Sequence, residues 1–265
     1  VGIPYLGELR GVSPALNQQS SNSGTIQGAT DSKWALQAFL WRLIGVNLRE
    51  QQEVDSKMRP QTIRKEPTSR FSFDMRRLER KLDLVTEAGS AGVIGIVPAS
   101  TRYQTSEVSF NLAYLYSVNG KRVLLVDANV YSTPLTLALA ARAEKGLVDV
   151  LLGSAKATEC IIRNAMSDVD LLPARVVEGP VFTTWPFAPK LLREKLEGLR
   201  ETYDVIIVDL PHACSPVALS INSILEAAVI IADYGCTEIA YLAELAATYQ
   251  SSAREFVGAA IATKN

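Results

Sequence analysis

The chain has 265 residues, 48% of them hydrophobic, enough to bury one large core. Its 27 basic and 28 acidic side chains leave a net charge of −1, which removes any bulk electrostatic drive toward nucleic acid. The three cysteines, Cys160, Cys214 and Cys236, lack metal-ligand spacing and fit small core positions in a reducing compartment, and no apolar run approaches the ~18–20 residues that a bilayer span needs.

Val1–Val12 is short and apolar, contains Pro4 and reads as an extended segment; with no methionine or signal peptide, Val1 is expected to open a piece of a longer chain. Residues 13–31 are rich in Ser, Asn, Gln and Gly, a composition that reads as a flexible linker. The pattern then predicts a helix over Ser32–Arg49, capped by Asp31 or Ser32, with Trp34, Phe39, Trp41 and Leu43 wrapping much of its circumference. Glu50–Arg70, charged and broken by Pro60 and Pro67, reads as a connector. An amphipathic helix is predicted over Ser72–Val85, with Phe73, Leu78, Leu82 and Val85 apolar and Arg76, Arg77, Arg80 and Lys81 on other faces.

The centre of the chain is Gly92–Leu137. An apolar run (Val93–Val97), a polar turn (Pro98–Thr105), a helical segment with Val108, Leu112 and Leu115, the turn at Asn119-Gly120 and a second apolar run ending on Asp127 make a strand–helix–strand unit. Beyond it, helices are predicted over Thr133–Arg142, Gly146–Leu152, Lys190–Thr202, Ser215–Leu225 and Thr237–Ser251, with a short element at Thr158–Ile162. Strands are predicted at Val169–Leu172, Val205–Val208, Ala227–Ala232 and Phe256–Ala262, and an irregular loop at Pro173–Pro189, which holds Pro173, Pro180, Pro186 and Pro189. Continuously apolar strands interleaved with helices predict an α/β fold, a mostly parallel sheet flanked by helices on both faces.

Two aspartates end core strands, Asp127 after VLLV and Asp209 after VIIV. Ligands of open α/β sheets bind beyond these strand ends, where carboxylates hold Mg²⁺ or orient a nucleophile; the alternative is that both hydrogen-bond a loop or cap the next helix. His212 beside Pro211 lacks a Ser or Cys nucleophile motif around it and reads as a loop histidine.

The succession GVIGIVPAS, NGKRVLLVDAN, GLVDVLLG and YDVIIVDLP resembles the bacterial tyrosine-kinase (BY-kinase) family and its MinD/ParA-like relatives, over roughly Phe71–Asn265. That family has a P-loop NTPase-like domain attached to polysaccharide co-polymerases, and VGIPYLGEL at the start looks like the segment joining a membrane span to it. The resemblance divides the chain into a leading segment and linker (1–31), an extra helix and connector (32–70) and a P-loop-like domain (71–265). It also implies self-association, contacts with polysaccharide synthase or export subunits, no nucleic-acid partner, and a place on the cytoplasmic face of a bacterial inner membrane, reached through segments outside this chain.

The glycine-rich loop departs from that pattern. Aligned through Asn111-Leu112-Ala113, the Gly, Lys and Ser of the P-loop fall on Gln104, Thr105 and Ser106, and an earlier loop glycine on Arg102, so only Ser106 agrees. The lysine supplies positive charge to the β- and γ-phosphates, and glycines let backbone N–H groups close around them. Glu107 places a carboxylate in the first turn, where it substitutes for an anion at the helix dipole. The family's Asp-x-Asp becomes Asp127-Ala128-Asn129, and Phe73, Arg76 and Glu79 stand where a Glu and two Arg serve subunit packing.

The expectation is therefore a pseudo-kinase with a degenerate Walker A motif, no bound cofactor, and Asp127, Asp209, Arg102, Gln104, Thr105 and Ser106 as remnants of the catalytic, nucleotide and metal positions. Its role would be a scaffold of exopolysaccharide or biofilm secretion. The alternatives are an active or nucleotide-responsive kinase or ATPase that binds ATP or ADP with Mg²⁺, using Arg102 from an unusual direction, and a MinD/ParA-like positioning ATPase.

Overall fold

The computed structural model describes residues 47–50, 62–84, 92–100, 105–175, 193–196, 198–233, 236–250 and 256–264. In chain order the strands are β1 (Asn47–Glu50), β2 (Gly92–Pro98), β3 (Val123–Asp127), β4 (Ile162–Met166), β5 (Val169–Leu172), β6 (Val205–Asp209), β7 (Ala227–Asp233) and β8 (Phe256–Lys264). The helices are α1 (Thr62–Lys65), α2 (Arg70–Asp83), α3 (Ser106–Val118), α4 (Pro134–Leu139), α5 (Leu147–Leu152), α6 (Ala157–Cys160), α7 (Pro216–Asn222) and α8 (Ile239–Gln250).

The strands form one eight-stranded sheet in the order β1-β8-β7-β2-β6-β3-β5-β4. Every pairing is parallel except β4 with β5. Central strands β2, β3, β6 and β7 are buried along their whole length, as apolar runs without alternation require of a sheet covered on both faces.

Successive strand residues then feed two cores. Ile94, Ile96, Leu125, Ile207 and Val229 pack with Met75, Leu78 and Leu82 of α2 and Val108 and Leu112 of α3. Val93, Val97, Leu124, Val126, Val208 and Ile230 pack on the opposite face with Leu147 of α5, Val217 of α7 and Leu242 of α8. Helix α2 begins at an N-cap, Ser69, whose side chain accepts from Ser72 N.

Local chemistry corrects several expectations. The helix predicted over Ser32–Arg49 does not extend to its end: Asn47–Glu50 is β1, while residues 32–46 lie outside the described residues. Strand β4 has no counterpart in the predicted elements. Its sequence IRNAM is half-polar because it is the antiparallel edge of the sheet, with Asn164 (φ 48°) and Ser167 (φ 50°) at the irregular register and the turn into β5.

The helix over Lys190–Thr202 is shorter than its pattern: residues 193–196 are helical and 198–202 form turns, with Gly198 at the break. Helix α4 stops at Leu139 instead of Arg142; only Leu135 and Thr136 of it are buried, and Leu137 faces solvent. Cys160 is buried as expected, whereas Cys214 and Cys236 are exposed. Residues 176–189 of the proline-rich loop, Trp34 and Trp41 lie outside the described residues, and Trp185 with them.

Candidate functional site

Parallel pairing of β3 with β6 sets Asp127 directly beside Asp209 at the carboxyl end of the sheet, and Ala128 N donates to Asp209 O at 2.9 Å. Helix α3 starts over the same edge, where its first turn reaches Asp209. Ser106 and Ser109, three residues apart, share one face of that helix. Ser106 Oγ donates to Asp209 Oδ2 and Ser109 Oγ to Asp209 Oδ1, both at 2.6 Å. Each oxygen of Asp209 thus carries a serine hydroxyl, and the side chain has no solvent exposure.

Asp127 is held in the same manner from the next loop. Its Oδ1 accepts from Asn129 N (3.1 Å), and its Oδ2 from Thr136 N (2.8 Å) and Thr136 Oγ1 (2.7 Å). Thr136 Oγ1 also accepts from Ala174 N at 2.8 Å, tying the end of β5 to the same carboxylate. The turn that presents Thr136 passes through Thr133 at φ 44° and ψ 48°, a left-handed conformation that a β-branched residue adopts at a cost of order 1–3 kcal/mol.

Burial dominates the electrostatics. Asp209 is pushed up to about 7 by loss of solvent and by the neighbouring Asp127 charge, against the opposing pull of the Ser106 and Ser109 hydroxyls. Asp127 is raised to about 6, also by burial, with the Thr136 and Asn129 bonds pulling it down. A third strand-end carboxylate, Asp233 of β7, receives a hydrogen bond from Ser100 Oγ, and its N–H donates to Thr237 Oγ1 at 3.0 Å.

The structure therefore brings together Asp127, Asp209 and Ser106 and places Thr105 at the N-cap of α3, without a side-chain capping bond; Glu107 lies in the first turn. Arg102 and Gln104 lie outside the described residues. His212 joins none of this: its Nδ1 accepts from Cys214 N at 3.3 Å. Sequence reasoning missed Ser109, Thr136 and Asp233. Ser109 was signalled by its three-residue spacing from Ser106, and Asp233 by an apolar run ending on aspartate like the other two. Thr136 carried no such signal, because a strained turn brings it back to Asp127. Among the described residues, no group of three or more His, Cys, Asp or Glu side chains converges as a metal site.

The profile of the AAA domain family matches residues 104–250, more than half of the chain. The chain belongs to that family. Its AAA domain is of the P-loop type found in bacterial tyrosine-kinase domains and MinD-like proteins. It is 28% identical over 152 residues to the succinoglycan biosynthesis transport protein ExoP of Rhizobium meliloti, spanning 57% of this chain and 19% of that protein. It is 33% identical over 122 residues to the chromosome-partitioning ATPase Soj of Thermus thermophilus, spanning 46% of this chain and 47% of Soj. The AAA domain thus matches less than half the length of either relative. Its fold is similar to the kinase domain of the Escherichia coli tyrosine kinase ETK, with a TM-score of 0.65 and 17% identity over 80% of this chain and 83% of that one.

Proposed function

We propose that this AAA domain is the cytoplasmic, BY-kinase-like part of an exopolysaccharide-export co-polymerase, and that it works as an assembly or regulatory scaffold without cycling ATP. The similarity to ExoP, a biosynthesis transport protein, supports the polysaccharide setting. No helix among the described residues is long and apolar enough to cross a membrane, so in this reading the bilayer is reached through other segments.

The observation that carries the loss of ATP cycling is the closed state of Asp209. Ser106 and Ser109 occupy both of its oxygens at 2.6 Å, and Asp127 is likewise spent on its own loop. The sequence meanwhile offers Gln104-Thr105 in place of the Gly-Lys that would close backbone N–H groups and a positive charge around a triphosphate. These residues fit Mg·ATP poorly: serine hydroxyls already hold both Asp209 oxygens, Thr136 and Asn129 hold those of Asp127, and Glu107 adds negative charge in the first turn of α3, where phosphates would sit.

A second reading, a nucleotide-responsive ATPase, draws support from one contact. Ser106 of the first helical turn and Asp209 of the strand end lie together as the Mg²⁺-side pair of a P-loop enzyme would. Titration calorimetry with Mg·ADP and Mg·ATP separates the two. The scaffold reading expects no saturable heat. Low-micromolar binding, or ATP turnover that vanishes in Asp209→Ala, would overturn it in favour of the enzyme.

A further inference from the structure

Helix α2 covers one core with Met75, Leu78 and Leu82, which fixes what its other side presents. At about 100° per residue, positions 73, 76, 77, 80 and 84 fall within one stripe about 100° wide. That stripe reads Phe73, Arg76, Arg77, Arg80, Leu84. Leu84 stays on the helical path, with φ −74° and ψ −19°. Phe73 is 57% exposed and Leu84 82%, while Arg80 is exposed and Arg76 and Arg77 are partly so. The Arg76 guanidinium lies 6.0 Å over the Phe73 ring and donates to Pro67 O at 2.8 Å, which holds both side chains at the surface.

The acids of this helix lie off the stripe. Asp74 is bonded to Arg70 at 3.1 Å, Glu79 turns inward to accept from Asn119 Nδ2 at 2.6 Å, and Asp83 lies on the flank. Exposed Arg64 and Lys65 of α1 extend the basic surface toward the helix start. On a chain of net charge −1 this is a local concentration of arginine, ended on each side by a large exposed apolar side chain about 16 Å apart.

We infer that this stripe docks peripherally on an anionic lipid surface. Three arginines meet headgroup phosphates while Phe73 and Leu84 enter the acyl boundary, the arrangement that holds interfacial helices in place. A second copy of the chain is a poorer occupant, because two-fold pairing along α2 sets arginine against arginine.

The test is flotation of the full 265-residue chain with vesicles of phosphatidylcholine alone and of phosphatidylcholine with about one-third phosphatidylglycerol. Binding is expected to the mixed vesicles only, weakening as salt is raised. Substituting Arg76, Arg77 and Arg80 together by Gln should lower it about a hundredfold, at about fivefold per arginine. If circular dichroism shows that this triple variant has lost helix, Arg80→Gln alone decides, with about a fivefold loss expected. Equal binding to both vesicles, no binding to the anionic ones, or an unchanged folded variant overturns the inference. So does a dimer of the parent chain that Arg80→Gln dissociates. None of these outcomes bears on nucleotide binding, so this inference and the scaffold reading stand or fall separately.

Discussion

A carboxyl group with no solvent exposure resists ionisation, and Asp209 meets a second one, Asp127, at the paired position of the adjacent strand. With folded values raised to about 7 and about 6 from an ordinary 3.8, both groups favour the protonated state more in the fold than in the unfolded chain. The stability this contributes is complete below about pH 4 and is lost as pH rises through the folded values. The melting temperature should therefore fall between about pH 4 and pH 7, and Asp209→Asn, which removes the ionisation and keeps one oxygen to accept a serine hydroxyl while the other serine turns to accept from the new NH2, should flatten that fall. Glu79, also raised by burial, acts in the same direction; Asp204, held low by Arg122, titrates below this window. Unfolding scans across pH check it, and an equal slope in both proteins would refute the assignment. The aspartates were legible because each ends an apolar run. Their pairing was not, since it depends on β6 lying between β2 and β3, which chain order does not state.

At the scale of elements, the strand–helix–strand unit β2–α3–β3 was readable almost to the residue, because apolar runs and a helical period bounded by Asn119-Gly120 agree with burial on both faces. Elements that depend on long-range contacts were not. Strand β4 exists by pairing with β5, and helix α5 is placed by the end of β5: Leu147 N donates to Pro173 O at 2.7 Å, Gly146 N to Asp149 Oδ2 at 2.9 Å, and Arg175 pairs with Asp149 at 3.0 Å. Gly146 has an extended backbone, so the need for glycine here is one of space. A Cβ would stand 2.2 Å from Pro173 O and 2.6 Å from Arg175 N, both backbone atoms that cannot swing away. Gly146→Ala is expected to destabilise the domain by about 1–3 kcal/mol, read from denaturant midpoints at an unchanged slope. Gly153→Ala, with φ 76° but open space around its Cβ, should cost about 1 kcal/mol through backbone strain alone. If the two variants lose the same stability, close approach at Gly146 is not what fixes α5.

Across the whole molecule, the sheet brings Asp127, Asp209 and the start of α3 to one edge, and on the scaffold reading it is the loop chemistry that keeps nucleotide out. A frame of this kind should accept its missing parts back. Arg102→Gly, Gln104→Gly and Thr105→Lys together rebuild Gly-Lys-Ser ahead of α3, returning backbone N–H groups and one positive charge to the phosphate position. Adding Ser109→Ala frees Asp209 Oδ1 of its hydroxyl while leaving Ser106 on Oδ2. A charge-assisted contact from the restored lysine is worth about 1.5–3 kcal/mol, so the rebuilt loop should bind Mg·ADP about ten- to a hundredfold more tightly than the parent. The Ser109→Ala addition should strengthen the Mg²⁺ dependence further, because one carboxylate oxygen then faces the cation instead of a hydroxyl. Both are measured by competition with a fluorescent nucleotide, with and without Mg²⁺. A rebuilt loop that binds no better than the parent would mean that the frame itself, and not the loop alone, has moved away from nucleotide.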